Sequence, residues 1–356
     1  MKIPAITAGQ SLLAQLGKLI GGNVALTVSD LLGTANLQAL PLFDHLFCRA
    51  AFSKSEARIK KTSGGWRHSQ REWREMRIAG LDGLRALAIL LVLGQHLQMG
   101  GWISHFQPNL GRLGVALFFA LSGYLITGVL LDSHNSLLGF YWRRSLRIFP
   151  AFYAYWLTVL ALALTGLQQV SPLTMAAAAT YWINWLPGAR GWTLQHLWSL
   201  AVEEQFYLLW PLVLCLAGVN GARRIILLIF LCWPLQRWWR RGTLGHSDIE
   251  QALVSVTYDV ILWGCLLALW KRKEKHPLYR LVAAPNGGWI PWAVILSLYA
   301  GWWEPPVALV PYLRNACLAW IVAWVAENPG QLLTRGLHWT PLRWLGERSY
   351  SLYLWH

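Results

Sequence analysis

The chain is a succession of apolar stretches separated by short basic clusters, and that alternation restricts it to a narrow set of folds. Stretches at roughly 81–98, 113–131, 150–167, 197–218, 224–239, 254–270, 289–303 and 307–326 are each about as long as a helix must be to cross a hydrocarbon core about 30 Å thick. A last apolar helix begins near Trp344 and reaches His356. The segment 173–187 is apolar but short and interrupted, so it reads either as a tilted span or as a re-entrant segment. The expected fold is all-α: a polytopic integral membrane helical bundle with about ten membrane helices. A final helix of about 13 residues cannot span the bilayer, so the expectation is of a bundle whose last helix is truncated.

The basic clusters set an expected topology. Lys54, Arg58, Lys60, Lys61, Arg67, Arg71, Arg74 and Arg77 precede the first span, which places that side, and the N-terminus, in the cytoplasm. Arg143, Arg144 and Arg147 then fall in the next cytoplasmic connection. Arg223, Arg224 and the 271–276 cluster share that side if 173–187 does not cross, and change sides if it does. The formal charge of +15 could suggest nucleic acid, but its distribution between apolar segments fits the positive-inside rule instead. A mean hydropathy of +0.37 and 24 tryptophans agree with many membrane crossings. Cys215, Cys232, Cys265 and Cys317 lie in apolar runs without metal-ligand spacing and read as packing residues. Residues 1–77 form a poorly patterned cytoplasmic extension, and residues 78–356 the membrane domain. Lys18 interrupts the apolar window that would pass for a signal peptide, and Met76 would make a natural start.

Within the first span, Leu81-Asp-Gly-Leu-Arg-Ala-Leu-Ala-Ile-Leu-Leu-Val-Leu-Gly-Gln-His96, one arginine and one histidine stand among aliphatic residues. Eleven helical steps return His96 to within about 20° of Arg85 and displace it by about 16 Å along the axis. One face therefore carries a permanent cation and, three turns away, a group that exchanges protons near neutral pH. Ionisable groups inside a membrane are functional candidates by default. The bland alternative is an arginine snorkelling to the interface and a histidine satisfied by a backbone carbonyl.

In the segment His196-Leu-Trp-Ser-Leu-Ala-Val-Glu-Glu-Gln-Phe-Tyr207, helical spacing puts His196, Ser199, Glu203 and Tyr207 on one stripe, with Glu204 turned about 100° from Glu203. Ser122 and Gly123 in the second span permit close approach by a helix or a ligand, and plain packing is the simpler reading for Gly123. Arg144 and Arg147 are three apart. On a helix they could hold phosphate groups in forked hydrogen bonds, or serve as topology determinants. Asp259 reads as a structural partner for an intramembrane cation, and Asp82 adjoins the first-span arginine. No Walker loop, dinucleotide turn, His-Glu-x-x-His helix or Gly-x-Ser-x-Gly elbow occurs, and no metal site is expected. A histidine base with carboxylate support and several arginines suits acyl transfer from a phosphate-bearing donor to a hydroxyl.

Five ordered motifs add a resemblance. Gly83-Leu-Arg-Ala with His96, Leu117-Phe-Phe-Ala-Leu-Ser-Gly-Tyr-Leu-Ile126, Phe140-Tyr-x-Arg-Arg-x-x-Arg-Ile-x-Pro150, 196–207 and Gly346-x-x-Ser-Tyr-Ser-Leu-Tyr-Leu-Trp-His356 resemble the membrane-bound acyltransferase-3 family. Its members O-acylate surface polysaccharides, Nod factors and macrolides. The resemblance covers residues 80–356 and implies acyl-CoA, often acetyl-CoA, as a co-substrate rather than a resident cofactor. By position it implies that Arg85 and His96 are the signature pair and that Arg144 and Arg147 are the Arg-x-x-Arg element. Glu203 falls in the acidic motif. In the family the final helix continues beyond the position of His356.

The mechanism expected from these residues uses Arg85, Arg144 and Arg147 as donor anchors, Glu203 as the supporting carboxylate, and His96 as general base or, alternatively, as acyl carrier. Ser122, His196, Ser199, Tyr207, Asp82, Asp259 and His356 are the supporting set. The acceptor would be a carbohydrate or lipid-linked glycan at a bacterial cytoplasmic membrane. Membrane lipids are the other expected partner, and nucleic acid is not. Two rival readings are a proton-coupled secondary transporter, which would show broken helices and repeat symmetry, and an inactive truncated family member.

Overall fold

The computed structural model describes residues 66–99, 110–132, 137–186, 191–243, 257–272, 276–300, 302 and 310–356, and those residues are helical with no β-strand among them. Residues 1–65 of the expected N-terminal extension lie outside the described residues. Among the described residues, four helical stretches are long and apolar enough to cross a membrane: Ala79–Met99, Leu110–Leu131, Leu137–Leu164 and Trp192–Cys232. A fifth is added if Pro277–Ala283 and Pro285–Ala300, bent by 76°, form one broken span.

The chain opens with α1 (Trp66–Met99), which runs without a break through residue 77 into the apolar segment bearing Arg85 and His96. After α2 (Leu110–Asp132), α3 (Leu137–Leu164) carries Pro150 in its interior. A proline there removes one donor, and the charged run before it was expected to be a connection. The helix nevertheless begins at Leu137, so Arg143, Arg144 and Arg147 belong to a helix rather than a loop. The short segment is α4 (Pro172–Ala179), capped by the Ser171 hydroxyl, followed by a 3-10 turn at Ile183–Trp185. Eight residues reach about 12 Å, too little to cross the bilayer, so the tilted-span alternative is not the one adopted.

A single turn of helix, α5 (Trp192–Gln195), leads through His196 into α6 (Leu197–Thr243). The two spans expected at 197–218 and 224–239 are joined in this helix and interrupted at Gly218, whose φ of 63° is open to glycine and strained for other residues. The remaining helices are α7 (Thr257–Arg272), α8 (Pro277–Ala283), α9 (Trp289–Ala300), α10 (Val310–Glu327), α11 (Leu332–Leu337), α12 (Thr340–Glu347) and α13 (Ser349–Trp355). The final helix expected from Trp344 is thus two short ones, α12 and α13, divided at Arg348.

The core is built from α1, α2, α7 and α10: α2 packs against each of the other three and α10 against α1 and α7, with α11, α12 and α13 laid along α1. Glycines allow the closest of these approaches. A Cβ on Gly123 would stand 2.0 Å from the Ile261 carbonyl oxygen, and one on Gly264 would stand 2.4 Å from that of Ala120, so α2 and α7 meet backbone to backbone. Packing is therefore the structural role of Gly123. Likewise a Cβ on Gly346 would come within 1.9 Å of the Asp82 carbonyl oxygen, which brings α12 against the start of the apolar part of α1.

At the other side of the core, Lys271 pairs with Glu327, which also accepts from Tyr124 at 3.2 Å, tying α7, α10 and α2 together. By contrast α3 and α6 are outer helices that leave Leu157, Leu208, Leu209, Leu216, Leu228 and Leu231 exposed. That distribution suits a surface whose solvent is lipid.

Candidate active site

A cavity of about 370 Å3 opens between α1, α2, α3, α6, α12 and α13. Its lining includes Asp82, Arg85, Ser122, Arg144, Arg147, Ser199, Glu203, Glu204 and Tyr207. Eight of the twelve residues expected at a site are among these nine, and they come from four helices.

The cavity has an ordered polar end. Asp82 forms an ion pair with Arg85 one turn along α1, which holds the guanidinium toward the cavity. Glu203 accepts from both the Ser122 and Tyr207 hydroxyls, and those two hydroxyls lie 3.0 Å apart. The Arg144 guanidinium carbon stands 3.8 Å from the centre of the Tyr207 ring, a cation–π contact that fixes the cation at the cavity wall. Its Nε is buried with no hydrogen-bond acceptor. Among the described residues neither Arg144 nor Arg147 pairs with a carboxylate. A buried charged donor without an acceptor is costly unless something supplies one. An anion entering the cavity would meet Arg85, Arg144 and Arg147 on adjoining walls.

The histidines form a second group. His96, His196 and His356 are mutual neighbours: ring centres of His96 and His356 are 4.6 Å apart, and those of His196 and His356 are 5.0 Å apart. Trp192 closes one side, 6.0 Å from His96. Each imidazole is bound to a backbone carbonyl, which can only accept, so the bonded nitrogen carries the proton. His96 uses Nδ1 to the Val92 carbonyl at 2.9 Å, and His356 uses Nδ1 to that of Tyr353 at 2.6 Å. His196 uses Nε2 to the Leu354 carbonyl at 3.2 Å. In the neutral forms the free lone pairs are therefore on Nε2 of His96, Nε2 of His356 and Nδ1 of His196. The backbone satisfaction foreseen as the bland reading of His96 is real, and it leaves the second nitrogen available as a base.

Between the two groups stands Tyr353. Its hydroxyl is 2.6 Å from the Ser199 hydroxyl and donates to the His196 carbonyl at 3.3 Å. Its ring lies 6.1 Å from Phe118 on the cavity side, and 5.2 Å from His356 and 5.8 Å from His196 on the histidine side. Tyr350 in the same helix donates to the Ile148 carbonyl at 3.1 Å and so anchors α13 to α3.

Several expectations need correction. The histidines, including His96, do not line the cavity that holds Arg85; the helix face they share is divided by Tyr353 and Ser199. Glu204, turned away from Glu203 on a helical wheel, still lines the cavity, because α6 forms a wall broad enough to present both carboxylates. Asp259 is fully buried outside the cavity and accepts from the Asn315 amide at 2.7 Å, which in turn accepts from Arg314 at 2.9 Å. Tyr353, Tyr350 and Phe118 were not singled out by sequence reasoning as site residues, and Glu204 was set aside in favour of Glu203. For Tyr353 a signal existed, since it sits three residues before His356 on the face of a short helix.

The family model of an acyltransferase domain, the acyltransferase-3 family, matches residues 78–356. The chain is 31% identical over 314 residues to YrhL of Bacillus subtilis and to the peptidoglycan O-acetyltransferase OatA of Listeria monocytogenes. It is 31% identical over 307 residues to the O-acetyltransferase OatA of Staphylococcus aureus. Each match takes in 78% of this chain but 48%, 49% and 50% of the respective relative, so the chain spans about half the length of these proteins. No solved structure matches. With its helical membrane architecture and a match that takes in most of its length, the chain belongs to the acyltransferase-3 family.

Proposed function

We propose that the chain is an integral membrane O-acyltransferase that moves an acetyl group from acetyl-CoA to a hydroxyl of a carbohydrate or lipid-linked glycan at a bacterial cytoplasmic membrane. The observation that carries the donor assignment is the buried Arg144 Nε without an acceptor, set in a cavity beside Arg85 and Arg147. Phosphate oxygens are the acceptors that such a fork of arginines takes in paired hydrogen bonds. Two relatives are named for O-acetylation of peptidoglycan or for O-acetylation in general, which supports acetyl as the group and a glycan as the acceptor class. The proposed bundle has about ten membrane helices with its N-terminus in the cytoplasm, so the arginine end of α1 faces the donor pool.

In the proposed reaction the Tyr353 side chain leaves its tether to Ser199 and turns aside, and Nε2 of His96 then takes the proton of the acceptor hydroxyl as its oxygen attacks the thioester carbonyl. The carbon–sulfur bond then breaks, the thiolate leaves and recovers that proton from His96, and the acyl oxygen ester is the product. Arg85 of α1 and Arg144 and Arg147 of α3 bind the donor in the cavity, on the far side of Tyr353 from His96. Glu203 holds Ser122 and Tyr207 in place and supports Arg144 across the Tyr207 ring. His196, His356 and Ser199 position the base and the partition beside it.

The test is acyl transfer in membranes containing the chain, supplied with acetyl-labelled CoA. Label should enter membrane glycan as an ester released by mild alkali. Absence of glycan-linked label, with the protein present in the membrane, would remove the assignment.

A further inference from the structure

The cavity is polarised along its length, and four helices agree on the direction. On α2 the lining runs from Ser122 through Phe118 to Val115, and on α6 from Tyr207 through Glu203 to Ser199 and Leu200. On α12 and α13 it runs from Gly346 through Tyr350 to Tyr353, while α1 contributes Asp82 and Arg85 at the first end. The first end holds the arginines. The second is lined by Val115, Phe118 and Leu200, with Phe118 against the Tyr353 ring and Ser199 bonded to the Tyr353 hydroxyl. Beyond Tyr353 are His196 and His356, and against His356 stands His96, so the Tyr353 and His356 rings lie between the cavity and the base.

That wall is not equally firm everywhere. Tyr353 is buried and tethered by its hydroxyl to Ser199 and to the His196 carbonyl. Phe118 has no polar tether and rests edge-on against Tyr353 and partly within the core. Under the donor assignment made above, on which this step rests, a donor with its phosphates at the arginines directs its acyl end toward Phe118 and Tyr353. We propose that Phe118 and Tyr353 form the acyl-group seat and restrict the enzyme to short acyl chains. Each added methylene would have to displace the Phe118 ring, and hydrophobic pockets discriminate single methylenes by about 10- to 200-fold.

Truncating Phe118 opens the seat without breaking a hydrogen bond. Membranes bearing the full chain, Phe118→Ala or Phe118→Leu would be supplied with acetyl-CoA and butyryl-CoA, at matched protein abundance, and the ratio of butyryl to acetyl transfer measured. The expected result is a ratio raised at least about tenfold in Phe118→Ala and by a smaller factor in Phe118→Leu. Should the alanine variant fail to accumulate, the leucine variant, which keeps the core filled, decides. Continued acetyl transfer with an unchanged ratio in the variants would overturn the seat and leave the acyltransferase reading standing. A wild-type chain that transfers neither group would overturn that reading, and this proposal with it.

Discussion

Arg144 offers the sharpest test of how the donor is held. Its guanidinium lies over the Tyr207 ring at 3.8 Å and its Nε is buried without an acceptor, so a bound phosphate would gain a directional bond that only a fork can give. Arg144→Lys keeps the positive charge and part of the cation–π contact but loses the second donor. A hydrogen bond to a charged group contributes about 1.5–3 kcal/mol, and a loss of about 2 kcal/mol corresponds to about 30-fold in affinity. The expectation is a KM for acetyl-CoA raised about 30-fold with little change in kcat, because the lost interaction is made equally in the ground state and in the transition state. The assay compares acetyl-CoA with S-acetylpantetheine, which carries the same thioester without the nucleotide phosphates. With S-acetylpantetheine the variant should equal the parent chain. An equal loss with both donors would refute phosphate binding at Arg144 and assign the residue to the shape of the cavity instead.

Two further outcomes follow from packing and from titration. Gly123→Ala places a methyl 2.0 Å from a backbone oxygen that cannot rotate away, so α2 and α7 must separate; overpacking of this kind destabilises by about 1–3 kcal/mol. Thermal unfolding in detergent should occur several degrees lower than for the parent, and an unchanged transition would disprove the close contact. His338, in the turn between α11 and α12, has its pKa lowered, by burial first and then by Arg343 and Arg335. A histidine held below its unfolded value of 6.5 contributes stability that is present above that pH and is lost as pH falls below it. Thermal stability should decline between about pH 7 and pH 5, and His338→Asn should flatten that decline. An identical acid limb in the variant would exclude His338 as its source.

How much of this could be read from the chain depends on the range of the interaction. The eleven-residue step between Arg85 and His96 and the four-residue steps from Ser199 to Glu203 and Tyr207 follow from helix periodicity; the second set does line one cavity, while His96 lies outside the cavity that Arg85 lines. Contacts between distant segments have no such periodicity. Nothing local says that Tyr353 bonds to Ser199 across 154 residues, and that bond is what parts the cavity from the histidines. The same holds for Asp259, whose partner Asn315 is 56 residues away on α10 and carries no charge to advertise the pairing. The start of α3 was misjudged because a proline and three arginines favour a connection locally. The packed environment of α3, with Tyr350 bonded to its Ile148 carbonyl, accepts a helix through them.

In the proposed reaction Nε2 of His96, left basic by the bond from Nδ1 to the Val92 carbonyl, removes the proton from the acceptor hydroxyl. The direct measurement is glycan-linked acetyl formed from labelled acetyl-CoA in membranes containing the chain with His96→Ala, at an abundance matched to the parent. Ester formation should fall to background while the protein remains in the membrane. Near-parental incorporation by the alanine variant would contradict it.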